Sequence, residues 1–475
     1  MENRSEVGVT HKALQKLLGL VRSRGTSIGV FGAGYVGLPL ACAFAEAGFR
    51  TVACDSDRDK VIAIRDGEVY IEDDYVRKIL PALVESKVLT SSDDVRHVAS
   101  MVDFAIVTVP TPLDDSGEPD LSYVTSVTRD IAEENRPGKF LILESSVFPG
   151  TTEEIVKPIL EERGLRAGFD FGLAYSPERI DYGNSRFGFR DIPKIVGGIT
   201  PICTQIASEL YSRILRARIV QMSSTRAAEA TKMLENVYRF VNIALVNELA
   251  ILHERLGIDF FEVIAGASTK PFGFQPFYPG PGVGGHCIPK DPHYLSYKAR
   301  QVGLSLKLVE ASQHINQGMI DHVIARLENH LREKGRTLRQ SKAVILGLAF
   351  KADVSDTRNS PSITLAEGLK NHRARVSAYD PFAKRVSTRN GIVVSTSDLE
   401  TAVRGGDILF LVTPHTLFKS VDLTKLHAMT HPDAVMVDTR GFWSPSDCIY
   451  AGFDYLCLGR PFQNASNYRN PTQDT

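Results

Sequence analysis

A chain of 475 residues exceeds the size at which one hydrophobic core keeps growing, so two or three domains are expected. Hydrophobic residues make up 43% and charged residues 23%, ordinary globular usage that excludes a disordered chain, a collagen-like repeat and a coiled coil. Lysine and arginine total 55 against 56 aspartates and glutamates, so no basic excess points to nucleic acid or an anionic membrane, and an anionic ligand must be held by locally placed groups.

In chain order, residues 1 to 24 read as a helical extension. Leu14, Leu17, Leu18 and Val21 recur at helical spacing and predict a short amphipathic helix with a packing face. The segment lacks a signal-peptide core and cleavage site, and no run approaches eighteen apolar residues, so neither secretion nor a membrane span is expected. Cys42, Cys54, Cys203, Cys287, Cys448 and Cys457 are scattered without a C-x-x-C pair, which fits free thiols in a reducing cytoplasm. No metal site is expected.

From Ser27 onward, strand-like runs alternate with helical stretches, as in a parallel sheet covered on both faces. SIGVFGAG, TVACD, VDFAIVTVP and FLILESS read as successive strands, and FGLAYSPER and IVGG continue the set. GAGYVG, from Gly32 through Gly34, Tyr35 and Val36 to Gly37, follows the first strand and precedes a helix of small residues. Such glycines serve a tight turn, close approach of backbone to a pyrophosphate, and close packing of the helix, whose N-terminus faces the phosphates. Asp55 ends the second strand, eighteen residues beyond Gly37. A carboxylate there accepts hydrogen bonds from ribose hydroxyls and repels a 2'-phosphate, so NAD is expected rather than NADP, with Arg58 and Lys60 acting against that repulsion.

Residues 226 to 257 contain no proline, and glycine only at the end. Ala230, Leu234, Val237, Val241, Ala244, Leu245, Leu249 and Leu252 recur every three or four residues, predicting one long helix that connects the halves. Lys232 and Asn236 share a face, and Arg239 continues the stripe; on spacing alone a solvated polar stripe is the commoner explanation. The following segment, STKPFGFQPFYPGPGVGGHCIPKDPHYL, is too rich in glycine and proline for regular structure, and a loop this long is usually functional. Its glycines and prolines fix a backbone suited to holding the Cys287 thiol against a substrate, with Asp291 four residues on and Lys232 a source of the positive field that activates a thiol. A buried, inert thiol and a hydrolytic pair with His286 are the competing readings, the second disfavoured because adjacent side chains seldom face each other.

KAVILGLAF, RVSAYDP, GDILFLVTP and AVMVDTR repeat the strand grammar near the C-terminus. Asp103 opens a run ending in Thr108, Val109 and Pro110, and Asp407 opens one ending in Thr413 and Pro414. GLAFK keeps the strand and turn but loses the third glycine, so a second dinucleotide is not expected there.

Together these strings resemble the nucleotide-sugar 6-dehydrogenase family, from about Ser27 to Arg440. The resemblance rests on GAGYVG, VPTP (109 to 112), ESSVFPGTT (144 to 152), SPER (176 to 179), KIVGG (194 to 198), EATKMLENVYRFVNIALVNELA (229 to 250), GVGGHCIPKDP and GLAFKADVSDTRNSP (347 to 361). It implies an α/β fold of two doubly wound Rossmann-like domains joined by a long central helix. The expected division is a helical extension to residue 24, an NAD-binding domain over 25–222, a central dimerisation and catalytic domain over 223–325, and a nucleotide-sugar-binding domain over 326–475. A homodimer through the central helix is implied.

The activity it implies is a four-electron oxidation of a hydroxymethyl group at carbon six to a carboxylate, consuming two NAD, with Cys287 forming first a thiohemiacetal and then a thioester. Asp291, Lys232 and Glu178 match the residues that handle protons and polarise water, Asn236 and Lys232 those that hydrogen-bond the oxyanion, and Thr111 the threonine beside the nicotinamide. Around the cofactor the resemblance adds Lys60, Pro110, Ser146 and Arg358, the last reaching the NAD phosphates across a cleft. Around the sugar nucleotide it adds Glu178, Arg179, Arg239, Tyr278, Gly284, Phe350 and Lys351. SPERIDYGN and His286 resemble the N-acetylhexosamine branch, whereas Lys290 is common in the glucose branch. UDP-N-acetylglucosamine is the expected substrate, with UDP-glucose, TDP-glucose and UDP-N-acetylmannosamine as alternatives. A two-electron hydroxyacid dehydrogenase and a non-catalytic NAD-binding module are more distant readings.

Overall fold

Branched and aromatic runs that bury both faces become the strands of a first sheet. They are β1 (Ser27–Phe31), β2 (Arg50–Cys54), β3 (Leu89–Ser92), β4 (Phe104–Val107), β5 (Phe140–Leu143), β6 (Gly172–Tyr175), β7 (Lys194–Gly198) and β8 (Ile219–Gln221), in the order β3-β2-β1-β4-β5-β6-β7-β8. The computed structural model describes residues 3–180, 187–339, 341–389 and 391–465. Alternate residues feed opposite cores: Phe104 and Ile106 enter one, Ala105 and Val107 the other. The strands are parallel except that β6 and β7 pair antiparallel, through Ala174 opposite Gly198 and Tyr175 opposite Gly197. β3 and β8 escape a search for apolar runs because they lie at the edges, where burial demands less; β3 reads LTSS.

A second sheet holds β9 (Lys342–Leu346) and β10 (Arg375–Tyr379), then, beyond a hairpin of β11 (Arg385–Thr388) and β12 (Gly391–Val394), β13 (Ile408–Leu411), β14 (Val435–Asp438) and β15 (Asp454–Cys457). Its order is β10-β9-β13-β14-β15, all parallel. Each sheet reverses its strand order beside its first strand, at β1/β4 and at β9/β13, where open α/β sheets leave a crevice for ligands at the strand carboxyl ends.

The chain divides into two compact units, Met1–Glu235 with His293–Leu304, and Asn236–Pro292 with Ser305–Thr475. In the first, the helix Asn3–Ser23 sinks Leu14, Leu17, Leu18 and Val21 into the core that also holds Ile206, Ala207 and Leu210. The long helix Thr225–Leu256 buries Ala228, Met233, Phe240, Ala244 and Ala250, and leaves Leu234, Tyr238, Leu245, Leu252 and Leu256 between 46% and 66% exposed. No helix among the described residues is long and apolar enough to cross a membrane.

Candidate active site

The glycine loop after β1 needs each glycine for a different reason. Gly32 adopts φ +103°, and a Cβ there would sit 2.9 Å from the Thr108 carbonyl. At Gly37 a Cβ would fall 1.8 Å from the Gly32 oxygen, so only glycine lets the helix Gly37–Glu46 start so close to the strand. Gly34 has no protein atom within 4 Å of such a Cβ, which leaves its backbone approachable. The helix has no side-chain cap and no acidic residue in its first turn, so its amide groups and positive dipole end suit a pyrophosphate. Tyr35 and Val36 are half-buried between these glycines.

Asp55, beyond β2, accepts from Ala33 N at 2.7 Å on Oδ2 and from Asp57 N at 3.0 Å on Oδ1, with Lys60 Nζ 3.2 Å from Oδ2. A carboxylate offers about four acceptor sites, so one remains for a ribose hydroxyl. The loop is further braced by residues that the motif does not mark. Tyr70 donates its hydroxyl to Ala33 O, and Thr108 donates to Gly32 O at 2.7 Å. Beyond β4, Pro110 is exposed and Thr111 buried; beyond β5, Ser146 is half-buried.

At the end of β6, Glu178 accepts from the Arg179 and Ile180 amides on Oε1, and Lys194 Nζ lies 3.7 Å from Oε2. Lys194 also donates to Glu144 Oε2 at 2.8 Å, and Tyr211 donates to Oε1 of the same carboxylate. Burial works against the Lys194 ammonium, but Glu144 and Glu178 outweigh it and hold its pKa above the ordinary lysine range. Arg179 pairs with Glu235 at 2.5 Å. Lys232 is 8% exposed and has no hydrogen-bond or ion-pair partner among the described residues, unlike a side chain in a solvated stripe. Of the SPERIDYGN string, Asp181 to Asn184 lie outside the described residues.

In the second unit, Asn236 is also buried, and its amide donates to Asp291 Oδ2 while Lys290 Nζ donates to Oδ1 at 2.6 Å. Arg239 is exposed. Asp291 opens the helix Asp291–Gln301, and the Lys290 and Asp291 amides both donate to the Cys287 carbonyl. Cys287 therefore lies at the amino end of that helix. It is half-buried, whereas the other five cysteines are buried, and burial pushes Cys42 and Cys54 up to about 12.

His286 and Cys287 do approach each other, with Nδ1 3.8 Å from Sγ, in the bend that leads into the helix. Burial, then the cations Lys290 and Arg358, push His286 down to about 4, so at neutral pH it is an uncharged imidazole and a weak base. That argues against a hydrolytic pair of the usual kind.

The segment after β9 lies against the cysteine loop. A Cβ on Gly284 would approach Phe350 Cβ to 3.0 Å, and one on Gly285 would approach its ring to 2.8 Å. Lys351 is half-buried, and Arg358 is clamped by Asp356, with Nη2 2.6 Å from Oδ2. Tyr278 is 55% exposed and stacks on Phe261. Sequence reasoning missed Arg440, which follows β14, donates from Nε to Val412 O at 3.0 Å and would lie 2.4 Å from a Cβ on Gly280. Burial pushes its pKa down to about 10 against the opposing charge of Asp438. Its position at the carboxyl ends of β13 and β14 was the available signal.

Residues 26–215 match the NAD binding domain of the UDP-glucose/GDP-mannose dehydrogenase family, 226–318 its central domain, and 344–445 its UDP binding domain. The UDP-N-acetyl-D-glucosamine 6-dehydrogenase of Pseudomonas aeruginosa is 34% identical over 87% of this chain and 96% of its own. The UDP-N-acetyl-D-mannosamine dehydrogenase of Pyrococcus horikoshii is 34% identical over 91% of this chain and 99% of its own. Among solved structures, the UDP-D-ManNAc dehydrogenase of Pyrococcus horikoshii superposes with a TM-score of 0.84 at 32% identity, covering 91% of this chain and 99% of that one. A UDP-glucose dehydrogenase of Pyrobaculum islandicum gives 0.81 at 26% identity, covering 92% and 98%.

Proposed function

This chain belongs to the UDP-glucose/GDP-mannose dehydrogenase family, NAD-dependent oxidoreductases, and from that premise we propose that it oxidises carbon six of UDP-N-acetylglucosamine to the carboxylate through Cys287. The observation that carries the reading is the cluster of Asn236, Lys290 and Asp291 around the turn that holds the half-exposed Cys287. The first unit suits NAD by its open Gly34, uncapped helix and Asp55. When bound, NAD takes up a hydride at each of the two oxidations.

The residues of the chain do the remaining work. The Cys287 thiolate adds to the aldehyde carbon, and its sulfur–carbon bond persists as the thiohemiacetal becomes a thioester; water then releases the acid and restores the thiol. Lys232 and the Asn236 amide donate to the oxygen that gains negative charge. Asp291 orients Asn236 and holds Lys290, and Glu178 polarises the water. Phe350 and Lys351 hold the nucleotide. The exposed apolar row of the long helix, Leu234, Tyr238, Leu245 and Leu252, is the face through which two copies would pair.

UDP-N-acetylmannosamine is the second reading, favoured by the names of several relatives. A panel of UDP-, TDP- and GDP-sugars assayed for NAD reduction separates the two; higher kcat/KM for UDP-glucose than for either acetamido sugar defeats both. Replacement of Cys287 by Ser is expected to leave NAD binding intact and to lower acid formation by orders of magnitude. Two NADH per acid, and an acyl adduct on Cys287 seen by mass spectrometry of quenched enzyme, are expected. Full acid formation by the Cys287→Ser variant refutes the mechanism.

A further inference from the structure

Two loops of the second unit meet at a clamp. Residues 347 to 361 contain two of the five non-glycine residues found at positive φ among the described residues, Asp353 at +61° and Asn359 at +49°. Asparagine tolerates this conformation better than most residues, but holding two such positions in one loop requires compensation from its surroundings. Asp353 is held by His415 and Thr416, whereas the compensation for Asn359 lies on the cysteine loop. Gly285 N donates to Arg358 O at 3.1 Å, and Asn359 Nδ2 donates to Gly285 O at 3.0 Å, so consecutive residues of one loop engage both backbone groups of Gly285. No slack remains beside it: a Cβ on Gly284 would lie 2.9 Å from both Asn359 O and Pro361 Cδ. Cys287 is two residues beyond the clamp, and Phe350, on the other loop, touches the same glycines.

We infer that Asn359 is a positioning residue that registers the Cys287 loop on the loop carrying Phe350 and Lys351, so that capture of the aldehyde by sulfur depends on it. The inference rests on Cys287 being the nucleophile. A nucleophile must lie within a near-attack distance, and a displacement of about 1 Å costs as much as 100-fold in rate. The first oxidation, at the alcohol, needs no sulfur–carbon bond and should tolerate a displaced Cys287 loop. Loss of the clamp therefore lets aldehyde escape before the second oxidation.

The test is steady-state kinetics of Asn359→Gly and Asn359→Asp with the sugar nucleotide that the wild type oxidises, with a hydrazine present to trap free aldehyde. Glycine adopts positive φ freely and removes only the amide, while aspartate keeps the shape but opposes the Gly285 oxygen with a carboxylate. The expected result is kcat for acid formation lowered about tenfold in Asn359→Gly and further in Asn359→Asp. KM should stay within about twofold, and hydrazone absent from the wild type should appear. If glycine impairs folding, as judged by circular dichroism, the aspartate variant decides alone. Wild-type kcat without hydrazone, or a raised KM at unchanged kcat, overturns the inference. Retained acid formation by Cys287→Ser would instead refute the underlying mechanism, so the two failures are distinguishable.

Discussion

The loops that follow β1 and β9 are built alike and completed differently. Gly32 and Gly347 both adopt positive φ, +103° and +91°, and each crosses a threonine, Thr108 or Thr413, at the end of the adjacent strand. Asp55 beyond β2 and Asp380 beyond β10 each turn a carboxylate back onto the loop, to Ala33 N in one case and to Leu348 N and Ala349 N in the other. There the likeness ends. Asp380 also accepts from Phe382 N, Ala383 N and His415 Nε2, and its side chain is fully buried. Asp353 N donates to His415 Nδ1, which fixes the imidazole as the Nε2–H tautomer pointing at Asp380. The second carboxylate is thus saturated by its own chain, whereas Asp55 stays 10% exposed with acceptor capacity left. The same scaffold leaves one acid with room for a further donor and spends the other wholly on its own chain.

Replacing each acid by alanine is the strongest way to break this comparison. Asp380→Ala strands five donors in a buried place, and about 3 to 5 kcal/mol of stability should be lost. Asp55→Ala should cost about 1 kcal/mol in unfolding and act mainly by raising KM for NAD and relaxing discrimination against NADP. Thermal unfolding with both cofactor titrations checks the pair, and equal losses of stability would dissolve the distinction.

Acid sharpens it. Burial works against the Asp380 carboxylate, but the His415 hydrogen bond and the backbone amides outweigh it and hold its pKa below the ordinary range; in the same unit Asp454 is pushed down to about 2, burial again outweighed, by His330 and Lys334. A carboxylate depressed in the folded state stabilises fully above its unfolded value of about 3.9, and that contribution is lost as pH falls through the folded value. Chemical unfolding between pH 6 and pH 3 should therefore show a loss of stability at the acid end, and Asp380→Asn should flatten the curve. An unchanged slope in that variant would remove Asp380 from the account.

The smallest effect is the most selective. A Cβ at Gly34 meets no protein atom, so Gly34→Ala should fold normally and raise KM for NAD about tenfold, equivalent to about 1.4 kcal/mol, by standing where the pyrophosphate approaches. Normal NAD affinity would show that the phosphates do not pass over Gly34.

The local pattern made the glycine loop, Asp55, the long helix and the cysteine loop legible, because close backbone approach, a strand end and helical period each demand particular residue types at fixed spacing. Lys232 and Asn236 were legible as a pair on one face, but their burial was not, since period says which residues align and not what covers them. The opposite error threatened the His286 and Cys287 pair: the rule that neighbours face apart fails where the chain bends instead of running extended.

The amino-acid sequence by itself determined the class of fold, the repeated strand grammar, the glycine loop and the candidate nucleophile, because each of these is written in short-range constraints on φ, on side-chain size and on the alternation of burial. Only the tertiary structure decided which acid is saturated and which is open. It also joined Gly285 to Asn359, placed Tyr70 against the glycine loop and set Arg440 beside Gly280. The partners in these contacts lie between 37 and 160 residues apart in the chain. No local rule of spacing reaches across such intervals; the contacts exist because sheet order brings strand ends together, and strand order follows from how whole elements bury their faces.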